Sequence, residues 1–515
     1  MFDFQFSASL FLCLLPLLCF FFFNLKKSSL SILFPSSSSD SNSSKIPTSY
    51  PFIGSYFTIS ANNHRRVQWT SDVVLTAPNL TFTLHRPFGN RQIFTANPSI
   101  VQHILKTNFQ IYQKGEFTRN SLFDFLGDGI FNVSGDKWKF QRQLSSHEFN
   151  TKSLKKFVET VVDTELSDRL IPILADSAVN KTVIDFQDIL QRFAFDNICA
   201  IAFGYDPAYL LPSLPQAKFA VAFDDATRFS GERLNSPFPV IWKLKKLLNI
   251  GSEKQFRTAM DTVHRFAKEI VKQKKEELKE KSTIDSVDLL SRFLNSGHSD
   301  EDFVTDIVIS FILAGRDTTS SALTWFFWIL SKNPEVEKQI LNEISEKTSE
   351  SSIYDEVKDM IYTHASLCES MRLYPPVPVD SKEAVANDVL PDGTRVKKGN
   401  RVTYHPYAMG RVKEVWGSDW AEFRPQRWLE WDSAGAGNWN FVARDAYTYP
   451  VFQAGPRICL GREMAFLQMK RVVAGVLRRF RVIPAMEEGE EPVFVSFLTS
   501  RMRDGFPVKI EERVH

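Results

Sequence analysis

The longest apolar run comes first. From Phe4 to Leu25 the stretch FQFSASLFLCLLPLLCFFFFNL carries no charge and is about long enough to cross a hydrocarbon layer as one helix. Lys26 and Lys27 follow at once, and the positive-inside rule then keeps the rest of the chain on the cytosolic side. A cleaved secretory signal is the rival reading. The charge stands after the apolar run, however, and no small-residue cleavage site appears, so a retained anchor is expected. Ser28 to Lys45 is a polar, Ser-rich spacer that cannot bury a core. This divides the chain into residues 1–45, anchor and linker, and residues 46–515, one large domain behind the Pro47 and Pro51 hinge.

Further along, Thr81 to Pro98 alternates apolar and polar residues on both sides of a Pro-Phe-Gly-Asn turn and predicts a β-hairpin. Phe256, Met260, Val263, Ala267 and Ile270 recur three or four apart and predict an amphipathic surface helix with a solvated Lys/Glu tail. Asp306 to Leu330 is almost continuously apolar. Arg316 and Asp317 in its middle would be costly in lipid, so it reads as a helix buried in a protein core. From about Pro375 short strands and turns take over, with a second hairpin signal in LPDGTRVKKGNRVTYHPYAMG. The expected class is mainly α with a minor β part.

With 62 Lys+Arg against 60 Asp+Glu the net charge is +2, which gives no electrostatic case for nucleic acid. Five scattered cysteines form neither a disulfide framework nor a C-x-x-C pair. No phosphate-binding loop and no G-x-G-x-x-G turn occurs, and His147-Glu148 lacks the second histidine of a helical zinc site.

Against that background the segment FQAGPRICLG, Phe452 to Gly461, stands out. A lone cysteine works as metal ligand or nucleophile only as thiolate, and a glycine-containing turn can aim N–H groups at its sulfur. Gly455 and Gly461 would let the backbone approach a flat cofactor. Arg457 suits a carboxylate outside the loop, and Phe452 could shield the sulfur from water. The decapeptide resembles the haem-ligand loop of the cytochrome P450 monooxygenases. By that resemblance Cys459 is the proximal thiolate of a haem b iron and Arg457 serves a haem propionate. Ala314 to Thr319, AGRDTT, is similar to the family's oxygen-activating motif, in which Asp317 and Thr318 would relay protons and Gly315 would free space for dioxygen. In ESMRLYPP, Glu369 and Arg372 share a helix face, and the family's buried E-x-x-R pair implies Arg427 as a third member, with Gln426 where a glutamate is more usual. In WKFQR, Trp138 and Arg142 stand four apart, and by resemblance their partner is a haem propionate.

The likeness extends over essentially the whole chain and is nearest to plant family ninety-four, within it the A subfamily of long-chain fatty acid ω-hydroxylases. Neighbouring subfamilies oxidise the same end of jasmonoyl-isoleucine, which stays open as the substrate alternative. A haem-thiolate lyase or isomerase of hydroperoxides and a non-catalytic haem carrier are the readings from other classes. The resemblance implies hydroxylation of a terminal carbon with O₂. It also implies electrons from an NADPH-cytochrome P450 reductase and residence in the endoplasmic reticulum membrane, held in lipid by a single N-terminal span. Candidate substrate walls are Phe123, Phe125, Leu126, Ile307, Phe311, Val377, Val379, Phe497 and Leu498. Arg119 is the candidate for the substrate carboxylate, and Lys137, Lys139, Arg462 and Lys470 for the reductase face.

Overall fold

The computed structural model describes residues 46–513 except 216–217, 281–287, 298–299, 347–351, 433–438 and 488. Thr81–His85 (β1) and Arg91–Thr95 (β2) pair antiparallel, Thr81 opposite Thr95, around the Pro87-Phe88-Gly89 turn, as the alternation predicts. Tyr112–Gln113 (β3) and Ile184–Asp185 (β4) are short. After the Pro-rich stop come Asp380–Ala384 (β5), Asp388–Val389 (β6), Arg395–Val396 (β7) and Arg401–Tyr404 (β8). The second hairpin signal resolves into β6 paired with β7 across Pro391-Asp392-Gly393. β8 leaves that hairpin and runs parallel to β2, giving a five-stranded sheet of order β1-β2-β8-β5-β3. Later strands are Leu429–Trp431 (β9), Trp439–Phe441 (β10), Phe480–Pro484 (β11), Phe494–Ser496 (β12), Ser500–Met502 (β13) and Pro507–Glu512 (β14).

Helices carry most of the chain. The ones used below are Glu116–Leu126 (α1), Gly135–Ser146 (α2), Phe186–Phe203 (α3), Lys218–Asn235 (α4), Pro239–Leu248 (α5), Gly251–Glu280 (α6), Glu301–Ile312 (α7), Thr318–Ser331 (α8), Ile361–Leu373 (α9) and Arg462–Arg479 (α10). α3 begins at Asp185, whose carboxylate accepts the N–H groups of Gln187 and Asp188, and ends at Gly204 in the left-handed region. α6 buries the stripe Phe256, Met260, Val263, Ala267 and Ile270, as its periodicity requires. Its tail is less solvated than expected, because Lys274 is buried between Glu277 and Asp288. α9 stops at Tyr374-Pro375-Pro376.

α7 and α8 make one rod joined by a single π-helical turn, Leu313–Asp317. One apolar core gathers around α8, α9 and α10, a second around α3, α4, α6 and α7, and a third under the five-stranded sheet. The rod passes from the second core into the first, which explains its apolar composition without a membrane. The expected N-terminal span lies outside the described residues. Among the described residues no helix is long and apolar enough to cross a membrane.

Candidate functional site

Cys459 lies between the turn Gly455–Arg457 and the first residue of α10. Its N–H donates to the Phe452 carbonyl at 2.8 Å, which folds the loop back on itself. The Gly461 N–H points at the sulfur. Burial raises the thiol pKa, and that N–H together with Arg142 and Arg462 pulls it back. The residue as a whole nevertheless keeps accessible surface. The start of an 18-residue helix adds its partial positive charge beside it.

Gly455 departs from the expectation that it clears space for a flat cofactor. Gly455 has φ +64, and a methyl group there would stand 2.2 Å from the Leu105 carbonyl oxygen, so it serves a close backbone crossing. A methyl at Gly461 would lie 4.0 Å from the Cys459 sulfur, in ordinary contact. Gln453 also has a left-handed φ of 62°. Its side chain bonds Asp380 at 2.9 Å and the Tyr404 hydroxyl, which holds the strained backbone in place. Phe452 packs against Phe466 with ring centres 5.1 Å apart.

Trp138 and Arg142 share a face of α2 as their spacing suggests, and Arg457 joins them from the Cys459 loop, as the resemblance implies. The Arg457 guanidinium lies over the Trp138 ring at 4.5 Å, with that of Arg142 5.9 Å from the same ring. Arg457 donates to the Val133 carbonyl at 2.8 Å, and burial lowers its pKa to about 10. Behind it stands a group that sequence reasoning missed. Asp380 is bonded by Lys382 at 2.6 Å and approached by Lys114 at 3.8 Å. Burial drives the Asp380 carboxyl up, but the two lysines outweigh it and hold the group well below the usual carboxylate range. Burial brings Lys382 down to about 8. Arg142, Arg457, Lys114 and Lys382 thus gather cationic charge around Asp380, an arrangement suited to an anionic ligand.

On the rod, the Thr318 hydroxyl donates to the Ala314 carbonyl at 2.6 Å, and Ser320 and Thr324 make the same backward bond to Arg316 and Ser320. The π turn coincides with this motif, a frequent placement at functional sites. Ala314, Gly315 and Thr318 keep partial exposure among buried residues of the rod. Gly315 serves packing: a methyl there would stand 2.5 Å from Ile198 of α3, so the expectation that it frees space for dioxygen gives way to a helix contact. Asp317 is paired with Arg316 at 2.7 Å. Burial raises its pKa to about 6, against the pull of Arg316 and with the help of Asp224.

Glu369, Arg372 and Arg427 form one buried network, with Arg427 3.1 Å from Glu369 and Trp428 donating to the same carboxylate at 3.0 Å. Gln426 reaches only the Tyr362 hydroxyl, at 3.4 Å. Of the candidate walls, Phe125, Leu126, Ile307 and Phe311 are core residues, and Phe123 is half exposed. Val377, Val379, Phe497 and Leu498 are partly exposed. Arg119 is paired with Asp128 at 2.5 Å. Lys137, Lys139 and Arg462 are surface groups, each paired with a carboxylate. Lys470 is buried and donates to the Lys358 carbonyl at 2.8 Å, which removes it from any docking face.

A family model described as cytochrome P450 matches residues 45–506. Cytochrome P450 94A2 of Vicia sativa is 65% identical over 482 residues, 93% of this chain and 93% of that protein. Cytochrome P450 94A1 of the same plant is 64% identical over 468 residues, 91% of each chain. Cytochrome P450 94B1 of Arabidopsis thaliana is 48% identical over 468 residues, again 91% of each.

Proposed function

Because the chain belongs to the cytochrome P450 family, as a haem-thiolate monooxygenase of its group ninety-four, we propose that it hydroxylates the terminal carbon of medium- to long-chain fatty acids. The observation that carries this is the similarity to the two 94A proteins, well above that to 94B1, joined to the resemblance of the A subfamily to fatty acid ω-hydroxylases. ω-Oxidation of jasmonoyl-isoleucine is the competing substrate.

The residues fit the family's cofactor. Cys459 would supply the thiolate that holds the haem iron, with its sulfur steadied by the Gly461 N–H. Arg142 and Arg457, stacked about Trp138, would take the propionates, and Phe452 would shield the sulfur side. The haem, when bound, supplies activation of dioxygen and insertion of one oxygen atom into a C–H bond. Asp317, with a pKa near 6, is part protonated at neutral pH and can hold the needed proton on Oδ2, since Oδ1 is taken by Arg316. The Thr318 hydroxyl, tethered to the Ala314 carbonyl, passes a proton on when it swings from that bond. A terminal C–H is stronger than the methylene C–H bonds behind it, so selectivity must come from presenting the end carbon alone. Val377, Val379, Phe497 and Leu498 supply apolar, partly exposed surface for that task.

Electrons would come from an NADPH-cytochrome P450 reductase drawn to the exposed Lys137, Lys139 and Arg462. The endoplasmic reticulum membrane, with the catalytic unit cytosolic, is the proposed location. Support comes from α5, in which Val240, Ile241, Leu244, Leu247 and Leu248 are all exposed beside lysines, the pattern of a helix lying in a lipid interface. The exposed Phe88 packs on Phe238 next to it.

Incubation in reductase-containing microsomes with lauric acid, oleic acid and jasmonoyl-isoleucine, with mass spectrometric location of the new oxygen, tests the reading. Oxygen on the ω-carbon of the acids supports it. Oxygen on the conjugate alone overturns it.

A further inference from the structure

A second carboxylate faces Asp317 across Arg316. Arg316 Nη1 lies 2.7 Å from Asp317 Oδ1 and 2.8 Å from Asp224 Oδ1, so one nitrogen serves an acid on the rod and another on α4. Arg501 of β13 holds the other oxygen of Asp224 at 3.1 Å. The Thr499 hydroxyl stands 3.4 Å from Asp317 Oδ2, and Gln191 of α3 stands 3.5 Å from Arg316 Nη2. Asp224, Asp317, Ser320, Thr499 and Arg501 are among the walls of one cavity of about 10 Å³, room for about one water. The buried Arg501 Nε has no protein partner and suits such a water.

The charged groups that meet here are Asp224 from α4, Arg316 and Asp317 from the π turn and Arg501 from the β12–β13 hairpin. Gln187, Gln191, Thr227, Ser320, Ser321 and Thr499 add neutral polar groups. A guanidinium keeps its protons, so Arg316 cannot relay one. What it can do is divide its charge between two acids. With Asp224 present Asp317 receives part of that attraction and feels a second negative charge. With Asp224 absent it would take Arg316 alone and remain a carboxylate.

We infer that Asp224 is a positioning residue for proton delivery: by sharing Arg316, and itself held by Arg501, it keeps Asp317 able to carry a proton. This rests on Asp317 acting as the proton donor. Asp224 does not touch substrate or cofactor.

The test uses the full-length holoenzyme with reductase and two readouts. One is product formed per NADPH against pH. The other is the infrared titration of the Asp317 carboxylic acid carbonyl stretch, identified by its loss in Asp317→Asn. Asp224→Asn should lower the Asp317 midpoint by about one pH unit and raise peroxide release several-fold at neutral pH. Asp224→Glu should restore both. Arg501→Gln should move the midpoint the other way, since Arg501 favours the carboxylate of Asp317. That opposite sign is one a general loosening of the fold would not produce. Should Asp224→Asn fail to bind haem, Asp224→Gln at the same partly exposed side chain carries the test, with the same lowered midpoint expected. An unmoved midpoint in these variants, with Asp317→Asn uncoupled, overturns the inference and leaves the relay standing. Full coupling in Asp317→Asn overturns both.

Discussion

Arg372 grips Glu369 through two parallel hydrogen bonds, Nε to Oε2 and Nη2 to Oε1, each 2.8 Å long, and neither side chain reaches the surface. The carboxylate also accepts from Arg427, from the Trp428 indole and from the Arg424 N–H, while Arg372 continues to the Gly410 and Glu422 carbonyls. Removing either partner strands a charge in the core at a cost of about 3–5 kcal/mol. Glu369→Ala and Arg372→Ala should therefore give little folded protein, read as loss of the ferrous–carbon monoxide absorbance band per milligram of chain.

Gly315 tests the rod's contact with α3. Gly315→Ala places a methyl group against Ile198 and should destabilise by about 1–3 kcal/mol in urea unfolding. The double variant Gly315→Ala, Ile198→Ala should recover part of that loss. Equal stability of the single variant and the parent would show that the close approach is unimportant.

His405 makes stability depend on acid. It is fully buried, its Nδ1 accepts the Ala408 N–H at 3.1 Å, and Nε2 lies 2.9 Å from the Thr70 hydroxyl, so the ring is neutral with its proton on Nε2. Burial, with Arg411 nearby, depresses its pKa from 6.5 to about 3. The unfolded chain therefore binds a proton that the folded chain refuses. The contribution is intact above pH 6.5 and falls by about 1.4 kcal/mol per pH unit as pH drops from there toward 3. Denaturant titrations across that interval should show the slope, and His405→Gln should flatten it.

The α5 surface predicts a lipid contact. In vesicles of mixed neutral and anionic lipid, amide exchange over 239–248 should slow at least several-fold relative to detergent-free buffer. Leu244→Glu with Leu247→Glu, at positions already exposed, should abolish the protection and leave thermal stability unchanged. Protection that survives both changes would rule the contact out.

Contiguous motifs were legible in the sequence. The Cys459 loop, the Asp317-Thr318 pair and the Glu369-Arg372 pair sit where their local patterns imply, because loop and helix geometry over a few residues fixes those neighbours, whereas Arg427 was expected only from the family resemblance. The hairpin from Thr81 and the stripe of α6 follow from periodicity alone. What escaped depends on distant segments. Asp224 reaches Arg316, and Arg501 reaches Asp224, from far away in the chain, and Asp380 gathers Lys114 across the sheet. Lys470 has the composition of a surface residue, yet it occupies the buried side of α10. Gly315 and Gly455 were recognised as special positions, but which atom approaches each is set by α3 and by the Leu105 backbone.

The π turn at Leu313–Asp317 has a consequence for phase. It holds one residue more than regular winding would, so everything from Thr318 onward is rotated by about 100° relative to Glu301–Ile312. On either side of that offset the rod packs against α6 along its first half and α9 along its second. Deleting one residue there would leave composition and hydrophobicity almost untouched while turning Thr318 away from its present direction, so the chain is more sensitive at this point to residue number than to residue type.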